Sequence, residues 1–170
     1  MTHHNLRIII CAIVASVLLA GVISCSAPPA TGHGTGRQHT PGSVTVRQDY
    51  LAYWKSLIAA NSIPDPGSPL LARHTASSQL ALLRRNLSID VSTHIYAAGS
   101  VSHDIRSIRV QGTVAYVVDC VNVDSWLLYR QHTRTLIPQL KKRPPQLAMF
   151  TLAKAGRIWK VTESTVYGDC

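Results

Sequence analysis

Acid–base chemistry in this chain would have to come from a short roster: His74, His94, His103 and His132, with Asp104, Asp119, Asp124 and Glu163. None of them stands in a motif, because the chain has no Gly-rich phosphate loop, HExxH, GxSxG or paired Cys-x-x-Cys element. Asp119 has the most specific setting, since it shares the alternating face of a β-branched run with Val117, Val121 and Val123. If that face lines a concave side, the carboxylate is buried and its pKa rises toward general-base work. The commoner arrangement, and the one expected here, is a place near a strand edge where the carboxylate accepts a backbone or Arg hydrogen bond. His103-Asp104 read as a turn before a strand starting at Ile105 and not as a facing pair. His33 and His39, six apart in a glycine-rich stretch, make a poor chelate, so neither a metal nor a cofactor is expected.

The elements that must position these groups change character once along the chain. Val46, Tyr50, Tyr53, Trp54, Leu57 and Ile58 recur at the three- and four-residue spacing of a helix with one buried stripe, from Val46 to Ala60. Three prolines and a glycine between Asn61 and Pro69 end it. Ser68-Pro69 read as an N-cap and first helical position, and Leu80, Leu83 and Leu87 carry a second stripe that ends near Arg84-Arg85, for two or three helices in all. Beyond Ile89 the pattern predicts strands over Thr93–Ala98, Ile105–Val110, Thr113–Asp124, Leu147–Ala153 and Arg157–Tyr167, with tight turns at Gln111-Gly112 and Ala155-Gly156. Helices grouped before strands predict an α+β domain: helices packed on a curved, mostly antiparallel sheet that can leave a concave pocket.

The amino terminus does not fit that domain. Ile8 to Ile23 is an uncharged apolar run after Arg7, too short for a comfortable membrane span and ending without basic anchors. The tetrapeptide VISC, Val22 to Cys25, resembles the lipobox of bacterial lipoproteins. That resemblance implies cleavage after Ser24 and a diacylglycerol thioether on Cys25, an anchor of two or three acyl chains at the cell membrane. The competing reading is ordinary secretion with Cys25 incidental. Residues 26–43 are rich in Pro, Gly, Ser and Thr and carry no large apolar side chain, so they read as a tether with a flexible reach of about 20–25 Å. The expected organisation is therefore a leader over 1–24, the lipidated cysteine and linker over 25–43, and one domain over 44–170. Cys11 leaves with the leader and Cys25 is committed to lipid, so Cys120 and Cys170 remain and are expected to pair. A reactive thiol at Cys120 beside Asp119 is the weaker alternative, since adjacent strand residues face opposite ways.

With the lipobox, the Pro/Gly/Thr linker, YLAYW, VVDCV followed by Trp126, GRIWKV and the terminal GDC, the chain resembles small actinobacterial lipoproteins with a nuclear-transport-factor-two-like, cystatin-related domain. The resemblance implies a cone-shaped α+β fold on the extracytoplasmic face of the membrane and no particular reaction. Lys+Arg 17 against Asp+Glu 8 gives +9, and the leader removes only Arg7 among its charged groups. Arg84-Arg85, Arg130, Arg134 and Lys141, Lys142 and Arg143 are candidates for contact with anionic headgroups or acidic envelope glycans, with a merely solvated loop an equal alternative. Nucleic acid is not expected, since no recognition motif is present. The combined expectation is a membrane-anchored, non-catalytic binding or accessory module for an envelope protein or small apolar ligand. The alternative is an isomerase- or dehydratase-like enzyme using Asp119 as a buried acid.

Overall fold

A single apolar stripe decides how the first element lies. Val46, Tyr50, Tyr53, Trp54, Leu57 and Ala60 are all buried along one side of α1 (Pro41–Ser62). Each large side chain removed from water there contributes roughly 2 kcal/mol. The computed structural model describes residues 41–139 and 144–170. The leader, Cys25, the linker with His33 and His39, and Lys141-Lys142-Arg143 lie outside the described residues. Among the described residues no helix is long and apolar enough to cross a membrane.

The second helical stretch is two helices, α2 (Pro69–His74) and α3 (Ser77–Thr93). Ser68 and Pro69 take the expected places, although the Ser68 side chain makes no capping bond. The break has a physical cause: Thr75 is extended and bridges Val161, and the Ala76 N–H donates to the Val161 carbonyl at 2.9 Å. Backbone groups spent on the sheet cannot also serve a continuous helix. α3 continues well past Arg84-Arg85 and stops where His94 adopts a left-handed conformation (φ 53°) and its N–H reaches the Asp90 and Val91 carbonyls.

Six strands follow: β1 (Ile95–Gly99), β2 (Ser102–Gln111), β3 (Val114–Asn122), β4 (Trp126–Arg130), β5 (Gln146–Ala155) and β6 (Ile158–Asp169). All named strand pairs are antiparallel, in a four-stranded sheet of order β2-β3-β5-β6 and a ribbon of β1 with β4. The two expected tight hairpins are present, with Gly112 (φ 60°) and Gly156 (φ 64°) supplying the positive φ that each turn demands. The sequence pattern does not predict β4. It is five residues long and carries too little alternation to stand out.

The inner face of the four-stranded sheet packs on the helices through Ile105, Ala115, Val117, Val121, Ala148, Phe150, Leu152, Trp159 and Val161. β2 keeps its inward alternation across a bulge between Ile105 and Ser107, so His103 and Ile105 precede it and Ile108 and Val110 follow it. On the β3 position next to Asp119, Cys120 is bonded to Cys170 with Cα atoms 6.0 Å apart, and the Cys170 N–H donates to the Pro145 carbonyl. The bridge spans 50 positions and fastens the carboxyl end to the sheet. Replacing both cysteines by alanine is expected to lower unfolding stability by about 3–4 kcal/mol. Urea denaturation of the oxidised chain against the double variant, at matched pH, measures this.

Candidate functional site

Asp119 sits in the middle of β3, between β2 and β5, and is 0% exposed. This corrects the expectation of an edge position with a backbone or Arg partner. The strand order puts β5 beside β3, and sequence alternation cannot reveal strand order. The partners are side chains: the Tyr50 hydroxyl donates to Oδ2 at 2.7 Å, and His103 Nδ1 lies 2.7 Å from the same oxygen. A carboxylate only accepts, so the hydrogen of that second bond belongs to Nδ1. Oδ1 is buried with no hydrogen-bond partner.

His103 is also a correction, since it lies inside β2 and not in a turn before it. It pairs with Val121 while Ile105 pairs with Asp119, which makes His103 and Asp119 diagonal neighbours on one face. The missed signal was the alternation itself, which places residues 103 and 105 on the same side once the strand begins at Ser102. In the sequence Tyr50 is only one member of the α1 stripe, and its polar role depends on a partner 69 positions away. Burial, followed by the charge of Asp119 and the hydrogen bond to it, pushes the Tyr50 hydroxyl far above its ordinary range. Tyr50 therefore remains a donor at every pH the protein meets.

Aromatic rings close over this cluster. Tyr50 meets Phe150 at 5.0 Å, Trp54 meets Phe150 at 5.9 Å and His103 at 5.1 Å, and Trp126 meets Trp54 at 6.5 Å. Trp126 is held there by the β1–β4 ribbon, in which Gly99 faces it. At Gly99 (φ 117°) a Cβ would fall 1.8 Å from the Ser125 carbonyl oxygen, so only glycine permits that approach. The second tyrosine of the stripe has its own polar tie: Ser164 donates to Gln79 Oε1, and the Gln79 amide donates to the Tyr53 hydroxyl, both at 3.1 Å. Burial pushes Tyr53 up to about 12.

His103 keeps 14% of its side-chain surface in solvent, so the Asp119–His103 pair has one accessible member. Such a pair can orient an imidazole and support proton transfer at its outer nitrogen. The other sequence candidates stay apart from it. His94 and His132 face each other on exposed surface at 4.7 Å. Asp104 forms an exposed ion pair with Arg106 at 3.0 Å. Glu163 is exposed on β6, and the Asp124 N–H donates to Asn122 Oδ1. Burial lowers the His74 pKa at the end of α2. Among the described residues no three His, Cys, Asp or Glu side chains are grouped to hold a metal ion.

No family model matches the chain, and no curated protein matches it. Its fold is similar to the intermembrane space region of the chloroplast protein ARC6, with a TM-score of 0.60 at 15% identity over 74% of this chain and 95% of that one. An NTF2-like protein from Cytophaga hutchinsonii has a TM-score of 0.43 at 12% identity, covering 72% of this chain and 97% of that one. A protein of unknown function with a cystatin-like fold from Nostoc punctiforme has a TM-score of 0.43 at 10% identity, covering 76% and 93%. At these identities the likeness is one of fold.

Removing the Tyr50 hydroxyl takes one of two donors from a buried carboxylate. Tyr50→Phe is expected to cost about 2–3 kcal/mol, more than a surface hydrogen bond would. Urea unfolding at neutral pH gives the value, and a loss under 0.5 kcal/mol would mean the bond is not holding the charge.

Proposed function

We propose that this chain is a lipid-anchored extracytoplasmic lipoprotein whose NTF2-like domain acts as a non-catalytic binding or accessory module of the cell envelope. The observation that carries the non-catalytic reading is the sealing of Asp119. The carboxylate is 0% exposed, two donors converge on one of its oxygens, and the rings of Tyr50, Trp54 and Phe150 pack over it. An acid committed to internal hydrogen bonds holds a helix on a sheet. It does not meet substrate. A packed interior also favours an envelope protein over a small apolar ligand as partner, since a protein docks on a surface. The envelope location is supported by the apolar run Ile8 to Ile23, by VISC ending at Cys25, and by the Cys120–Cys170 bridge, which suits an oxidising compartment.

The partial exposure of His103 favours a second reading, in which it exchanges protons with a small ligand while Asp119 orients it. Saturable quenching of tryptophan fluorescence by small carbonyl compounds, lost in His103→Ala, would support that reading.

The experiment for the first is an intact mass of the chain extracted from its host membranes, beside a Cys25→Ala form. The expected mass is residues 25–170 plus acyl chains, with Cys25→Ala recovered without them. An unacylated chain starting elsewhere would remove the anchor from the account.

A further inference from the structure

The tips of both tight hairpins meet the start of α1, and between them lies a cleft of about 320 Å³. Its walls are Gly42 and Thr45 of α1, Val110 and Gly112 of the β2–β3 hairpin, and Lys154, Gly156, Arg157 and Trp159 of the β5–β6 hairpin. The two hairpins are fastened together here by the Lys154 N–H, which donates to the Thr113 carbonyl at 2.9 Å. The β5–β6 hairpin is fastened to α1 by the Trp159 N–H, which donates to Asp49 Oδ2 at 2.8 Å. The cleft is thus a junction of three elements and not the product of one loose loop.

Its charge is one-sided. Lys154 and Arg157 are both exposed, and neither forms an ion pair among the described residues. Lys154 Nζ instead stands 5.8 Å from the centre of the ring of Trp159, a residue only 4% exposed. An indole face orients the ammonium group without neutralising it. Asp49 is the carboxylate that touches a cleft residue, and it accepts the Trp159 amide. Gly112 and Gly156, both in the lining, have open space where a Cβ would stand, so no side chain fills either turn. Two cations without an ion-pair partner among the described residues, at a cleft that no turn side chain fills, suit a phosphate-type anion.

The position of the cleft puts one source of such an anion within reach. The chain enters α1 at Pro41, next to cleft residue Gly42, and Cys25 lies sixteen residues earlier. Even fully extended, that separation is no more than about 55 Å, so an acylated Cys25 keeps the domain, which the tether enters at this end, within reach of the membrane surface. We propose that the cleft binds the phosphate of an anionic phospholipid headgroup and so sets the orientation of the domain on the membrane, a proposal that rests on the lipid-anchor reading. Lys154 and Arg157 contact the phosphate, and Trp159 holds Lys154 in place.

The test uses the full chain, ¹⁵N-labelled at tryptophan and glycine, in neutral dodecyl maltoside micelles. It is titrated with dihexanoyl phosphatidylglycerol, dihexanoyl phosphatidylcholine or inorganic phosphate. The Trp159 indole signal, assigned through Trp159→Phe, and the Gly156 amide are expected to shift saturably with phosphatidylglycerol and not with phosphatidylcholine. A Lys154→Glu, Arg157→Glu chain should weaken the binding by about tenfold or more. Unmoved Trp54 and Trp126 signals in that variant would show that the fold is intact. Equal shifts with both lipids, no shift at all, or unchanged binding in the charge-reversed chain overturns the proposal. Inorganic phosphate binding as tightly as phosphatidylglycerol overturns the lipid assignment and makes the cleft a free-anion site. Micelles make the readout independent of acylation, so the two readings can fail separately. An acylated chain with no shift sinks the cleft alone, whereas an unacylated chain with the expected shift sinks the anchor alone.

Discussion

A carboxylate at the centre of a sheet, wholly out of water, is the constraint from which the rest of this structure follows. Left alone, Asp119 would cost several kcal/mol, so donors must be brought to it. Tyr50 supplies one from α1 and His103 supplies another from β2. Tyr50 can reach β3 only if α1 is turned so that its stripe faces the sheet, which also drives Tyr53, Trp54 and Leu57 into the core. The bulge in β2 then matters, because it lets Ile108 and Val110 face inward after His103 and Ile105 have done so.

The same arrangement limits what the interior can do. Tyr50, Tyr53, Trp54 and Phe150 form one connected chain of ring contacts between α1 and the sheet. The polar groups of this region that water reaches lie at its margins: the solvent edge of His103, and Lys154 and Arg157 at the hairpin tips. The disulfide acts elsewhere, holding the carboxyl terminus against β3 at Cys120 while Asp119 turns to the helices.

Much of the fold was legible because its signals are local. The α1 stripe from Val46 to Ala60, the glycines of both hairpins and the alternation in β3, β5 and β6 each lie within a dozen or so residues and follow directly from period and turn chemistry. The order of the helices and strands followed, and with it the α+β class. What escaped was non-local. Thr75 breaks the second helix because Val161, far along the chain, takes its backbone. Nothing in VVDCV says that β5 lies beside Asp119, so a place near a strand edge is the local expectation, and His103-Asp104 read as a turn because neighbours in sequence need not face one another. Tyr50 carried no polar signal at all. A tyrosine on an apolar stripe looks like core, and only its distance to Asp119 reveals the hydrogen bond.

The most direct test of this account is a double-mutant cycle between Tyr50 and Asp119, with Tyr50→Phe, Asp119→Asn and the combined variant unfolded in urea at neutral pH. If the buried carboxylate and the phenol hold α1 on the sheet, the two losses will fall short of additivity by about 1 kcal/mol or more. Strict additivity, within about 0.3–0.5 kcal/mol, would mean that the helix is held by apolar packing alone and that Asp119 is free to serve another purpose.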